Sequence, residues 1–89
     1  MRLYVRVKGN VQGVGYRYFA MRTAQTMRLT GWVRNLPDGD VETEAQGEEK
    51  ILKKFLDELG KGPMGARVDS LKSQEIPERS GEEDFGWKA

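Results

Sequence analysis

The segment RLYVRVK at 2–8 alternates. Leu3, Val5 and Val7 fall on one side, and Arg2, Tyr4, Arg6 and Lys8 on the other, which is the period of a half-buried strand. From residue 16 the period changes. Tyr16, Ala20, Ala24 and Met27 recur at helical spacing with Phe19 and Thr23 beside them, while Tyr18, Arg22 and Gln25 fall opposite. This predicts a helix over 16–29 with Gly31 as its stop. Next come WVRNL at 32–36, PDGD, and VETEAQ at 41–46, the best hairpin signal in the chain. Pro37 suits the second position of a turn and Asp38-Gly39 its tight end. In the second arm Val41, Thr43 and Ala45 alternate with Glu42, Glu44 and Gln46, which predicts a solvent face for the last three.

EEKILKKFLDEL at 48–59 is the clearest helix, with Ile51, Leu52, Phe55, Leu56 and Leu59 as its apolar stripe. Glu48 and Glu49 suit the positive end of its dipole, and Gly60, Gly62 and Pro63 end it. Residues 66–75 read as a less regular strand. Pro77 to Gly81 reads as a loop, and DFGWK at 84–88 as a short last strand with Phe85 and Trp87 on one face. The order is β-α-β-β-α-β plus that strand. One-faced helices and alternating strands call for an α+β, ferredoxin-like two-layer sandwich, with both helices on one face of an antiparallel sheet. The 89 residues fit a single domain over 1–89.

Composition narrows the chemistry. The chain has no cysteine and no histidine. That removes disulfides, thiolate nucleophiles, Ser-His-Asp catalysis and Cys/His zinc sites. Fifteen Lys and Arg against fourteen Asp and Glu leave a formal charge of +1, so any attraction for anions must be local. The N-terminus lacks the apolar stretch of a signal peptide, and nothing approaches the roughly 18 apolar residues of a membrane span. These features read as a cytoplasmic protein.

The local feature is GNVQGVGYR at 9–17, where the first strand meets the first helix. It is not a Walker A loop, because no Lys-Ser/Thr follows the last glycine, and it lacks the dinucleotide G-x-G-x-x-G spacing. One reading is a glycine-eased junction. Three details favour an anion cradle. Helix N-termini carry unpaired N–H groups and a partial positive charge. Glycines let consecutive N–H groups converge on one anion. Arg17 then falls in the first helical turn, where its fork can hold two phosphate oxygens. Farther on, Asn35 precedes Pro-Asp-Gly, and by itself reads as a turn residue bonding its own backbone.

VKGNVQGVGYR (7–17) and GWVRNLPDGDVETEAQG (31–47) together resemble the two signature segments of the acylphosphatase family, in order and at the right separation. The resemblance spans nearly the whole chain. The first segment usually reads Val-Gln-Gly-Val-x-Phe-Arg, and here Tyr16 stands for Phe. The resemblance implies the ferredoxin-like fold and hydrolysis of acyl phosphates to a carboxylate and inorganic phosphate, without metal or organic cofactor. Carried over by position, it implies that Arg17 binds the phosphate with the backbone amides of Val11, Gln12, Gly13, Val14, Gly15 and Tyr16. It implies that Asn35 orients the attacking water.

The parts suit the reaction. An acyl phosphate already has a good leaving group, so positioning and electrostatic stabilisation suffice. Asn35 can hold a water through its amide but is too weak a base to take the proton, which we expect a phosphate oxygen of the substrate to accept. Glu42 and Glu44 on the solvent face, and Asp38 in the turn, are disfavoured as bases. The expected partners are a small acyl phosphate and inorganic phosphate as product and inhibitor, with a monomer acting alone and neither nucleic acid nor membrane involved. An RNA-recognition domain shares the topology but needs aromatic residues on its third strand, where this chain has VETEAQ. A non-catalytic anion-binding module, like the acylphosphatase-like domains inside carbamoyl-transfer maturation enzymes, is the other rival. The presence of both Arg17 and Asn35 favours an enzyme. Trp32 and Trp87 are expected in packing rather than as a substrate clamp.

Overall fold

Alternation in the first segment yields β1 (Arg2–Asn10), the second strand of a five-stranded sheet in the computed structural model, which describes residues 1–89. Helix α1 (Tyr16–Thr26) follows. The hairpin is β2 (Thr30–Asn35) and β3 (Val41–Gln46), then come helix α2 (Glu49–Lys61), β4 (Arg67–Ile76) and β5 (Phe85–Trp87). The sheet order is β4-β1-β3-β2-β5. The four longer strands pair antiparallel, with Val5 opposite Thr43 and Ser73, and Asn35 opposite Val41. β5 departs from the antiparallel expectation by lying parallel to β2, with Val33 opposite Trp87.

Both helices cover one face of the sheet. Val5, Val7, Val33, Val41 and Ala45 from the strands meet Tyr16, Ala20 and Ala24 of α1 and Leu52, Phe55 and Leu59 of α2. The predicted apolar stripes are therefore the core, held by burial worth roughly 25 cal/mol per Å² of apolar surface.

Two further expectations need correction. α1 ends at Thr26, not near residue 29. Arg28 takes a left-handed φ of 58°, its N–H donates to Gln25 O at 3.0 Å, and the Leu29 N–H donates to Ala24 O at 2.9 Å. This is a Schellman stop with arginine where glycine is usual. Buried Leu29 packs behind it, and Gly31 lies inside β2 opposite Ala45.

The second face of the sheet is also less open than alternation predicts. Arg2 is fully buried, bonding Glu44 at 2.8 Å and Glu82 at 2.8 Å. Glu42 is buried too, accepting the Tyr4 hydroxyl at 2.6 Å and an N–H of Arg34. Alternation assigns a side, but long stems from neighbouring strands then cover the carboxylates.

Candidate active site

The β1–α1 loop begins where β1 runs out of partners and ends at Gly15, the N-cap of α1. Gly13 and Gly15 adopt φ of 76° and 79°, and a Cβ at either would meet nothing within 4 Å. Their requirement is thus conformational, because left-handed backbone costs other residues roughly 1–2 kcal/mol. Gly9 differs. A Cβ there would stand 2.0 Å from Arg67 O, beside the register shift between β1 and β4. It permits close strand approach and lies outside the cradle.

No backbone N–H from Val11 through Tyr18 donates to a backbone carbonyl; the first that does is that of Phe19, to Gly15 O at 2.9 Å. N–H groups left free around a helix start carry partial positive charge and can converge on one anion.

Six of these eight residues border a cleft of about 280 Å³. Val11, Gly13, Gly15 and Tyr16 line its loop side, Arg17 and Tyr18 its helix side, and Asn35 and Trp87 its sheet side. Arg17 and Asn35, eighteen residues apart in sequence, thus share one cleft. Arg2, Arg6, Arg34 and Arg67 each pair with a carboxylate. Arg17 has no such partner; its guanidinium carbon lies 4.7 Å from the centroid of the Trp87 indole. Asn35 is the last residue of β2, and its Oδ1 is buried without a hydrogen-bond partner. Such an atom costs about 1–3 kcal/mol unless something fills the bond.

The remaining predicted residues sit around the cleft. The Gln12 side chain turns away and donates to Leu36 O and Asp40 O, each at 2.8 Å, bracing the loop against the β2–β3 turn beside Asn35. Val14 packs on the core. The Tyr16 side chain is buried, its hydroxyl donates to Leu59 O at 2.7 Å, and burial pushes its ionisation well above the ordinary tyrosine range. The disfavoured bases are elsewhere. Glu42 and Glu44 are engaged with Tyr4, Arg34 and Arg2. Asp38 binds Arg6 and the Asp40 N–H. The cleft lining holds no carboxylate. A wider concavity of about 500 Å³ also touches Asn35, but Arg34, its one charged side chain, is paired with Glu42.

Residues 3–87 match the family model described as Acylphosphatase. The chain belongs to the acylphosphatase family. A Clostridium acetobutylicum acylphosphatase is 46% identical over 84 residues, covering 94% of this chain and 92% of that one. A Thermotoga maritima acylphosphatase is 46% identical over 87 residues, covering 97% and 94%. The crystal structure of the Bacillus subtilis acylphosphatase superposes with a TM-score of 0.94 at 36% identity, covering all of both chains. The same fold matches full-length HypF, in a phosphate- and nucleotide-bound form, with a TM-score of 0.89 at 31% identity, over 99% of this chain and 12% of that one. As an acylphosphatase, the chain is a hydrolase acting on acyl phosphates. No helix is long and apolar enough to cross a membrane.

Sequence reasoning missed two contributors. Trp87 is half exposed in the cleft rather than packed away. Only the parallel placement of β5 brings it there, and nothing in a three-residue strand announces its pairing. The Gln12 brace was equally hidden, because its acceptors are backbone carbonyls of a distant turn.

Proposed function

We propose that the chain hydrolyses acyl phosphates in the cleft between the β1–α1 loop and the end of β2. Arg17 and the amides of Val11 to Tyr16 hold the phosphoryl group. The Asn35 side-chain amide orients the attacking water. The water oxygen bonds to phosphorus, the bond from phosphorus to the acyl oxygen breaks, and the carboxylate leaves with the electron pair. The water's proton passes to a phosphate oxygen. Charge on the transferring group is met by preformed donors, the effect that usually contributes most in such reactions.

The observation that carries this reading is that Asn35 and Arg17, an arginine without a carboxylate partner, line the same cleft as the glycine loop. The free loop donors support the same arrangement. Every carboxylate near the hairpin is engaged elsewhere, which supports substrate, rather than enzyme, as proton acceptor. The test is turnover of benzoyl phosphate by wild type and Arg17→Ala, with and without EDTA. Loss of a preorganised donor is expected to cost about 3 kcal/mol, or over a hundredfold in kcat/KM, and EDTA is expected to change nothing. Near-normal hydrolysis by Arg17→Ala overturns the assignment.

A further inference from the structure

We infer that Trp87 is a positioning residue for Arg17. This rests on the reading of Arg17 as the phosphate-binding cation. Arg17 has neither an ion-pair nor a hydrogen-bond partner on its own side chain; the Trp87 ring lies 4.7 Å from its guanidinium carbon. A long arginine left free spreads over many rotamers and loses that freedom on binding. A ring beside the guanidinium restrains it in a different way from a carboxylate. A carboxylate would occupy the N–H fork and cancel the charge. An aromatic face attracts the cation through its quadrupole and leaves the fork donors free for phosphate.

The ring is itself well anchored, although half of its surface is exposed. β5 is fixed to β2 at both ends: the Gly31 N–H donates to Asp84 O at 3.1 Å, and the Lys88 N–H to Val33 O at 2.9 Å. The Gln25 side chain of α1 donates to Phe85 O at 3.0 Å. Trp87 is thereby held relative to α1, which carries Arg17, and to β2, which carries Asn35. Holding the Arg17 guanidinium over this ring sets the cation at a defined position relative to Asn35.

The test is a double-mutant cycle on Trp87→Leu and Arg17→Gln. Inorganic phosphate binding is read from the loop amide shifts in an NMR titration, and kcat/KM is measured for acetyl and benzoyl phosphate. Trp87→Leu is expected to weaken phosphate binding roughly fivefold, as for loss of a half-exposed cation–π contact. It is expected to lower kcat/KM for both substrates in the same proportion. Trp87→Phe is expected to recover most of the loss, and in the Arg17→Gln background Trp87→Leu is expected to have little further effect. Phosphate affinity unchanged in Trp87→Leu overturns the inference. So does an undiminished effect when Arg17 is already gone, which would make the ring a support of the loop. A loss confined to benzoyl phosphate also overturns it, because the ring would then be touching the acyl group. Wild-type phosphate affinity in Arg17→Gln alone would instead defeat the reading of Arg17 itself, whatever Trp87 does.

Discussion

Gly9, Gly13 and Gly15 look equivalent in GNVQGVGYR, yet they meet different demands. Gly13→Ala puts a Cβ into open space at a left-handed φ, so it is expected to cost about 1–2 kcal/mol of stability. Gly9→Ala drives a Cβ into Arg67 O, and is expected to cost about 3 kcal/mol or more by forcing β4 away from β1. Urea midpoints of the two variants check the order; equal losses would contradict it. That an anion cradle begins near these glycines was legible, because glycine spacing, helix start and Arg17 all lie within one short segment. Their separate purposes were not, because the neighbour that excludes a Cβ at Gly9 lies on β4, almost sixty residues away. Asn35 was similarly opaque by itself. Its side chain suits an ordinary turn, and only its resemblance to a family segment, and then its buried free oxygen, set it apart.

The two helices meet through one polar contact that the element boundaries explain. The carbonyl of Leu59 would bond to the N–H four residues later, but that residue is Pro63, and the Gly62 N–H already bonds Glu58 O. The Tyr16 hydroxyl supplies the missing donor. Tyr16→Phe, although it restores the usual family residue, is expected to destabilise this chain by about 1 kcal/mol, lowering Tm by roughly 4–8 °C for a domain of this size. An unchanged melting temperature would contradict the contact's importance. Element identities were readable because each apolar stripe had a clear period, and α2 also carried its acidic start and glycine-proline end. The end of α1 was misread for a physical reason. Its Schellman stop uses Arg28, and an arginine in left-handed backbone carries no sequence mark, whereas Gly31 downstream carries a misleading one.

Across the whole molecule, near-neutral net charge conceals dense internal pairing on the uncovered sheet face. Burial would raise the Glu42 carboxyl, but hydrogen bonds from Tyr4 and Arg34 outweigh it and hold it below the usual range. Glu82 behaves likewise, burial being outweighed by Arg2. Arg6 and then Lys8 hold Asp40 low. Folded values below unfolded ones mean stability that is complete above the unfolded range near pH 4 and lost as pH falls through the lower folded values. Tyr16 has the opposite sign: its raised value favours the folded state below about pH 10, and that advantage is lost as pH rises beyond it. Urea unfolding across pH is therefore expected to show a plateau from about pH 5 to 9 with falls on both sides. A steep change near pH 6 or 7 would contradict it. Alternation foretold which residues share this face. It could not foretell that they bury one another, because that depends on which strands become neighbours.

The division of labour within the cleft is tested most directly by Asn35→Ala, with kcat on benzoyl phosphate and the inhibition constant for inorganic phosphate measured on the same preparation. Loss of the water-orienting amide is expected to lower kcat by roughly a hundredfold or more while phosphate inhibition stays near the wild-type value, the signature of an interaction made in turnover rather than in binding. A wild-type kcat, or phosphate inhibition that disappears together with activity, would contradict the account.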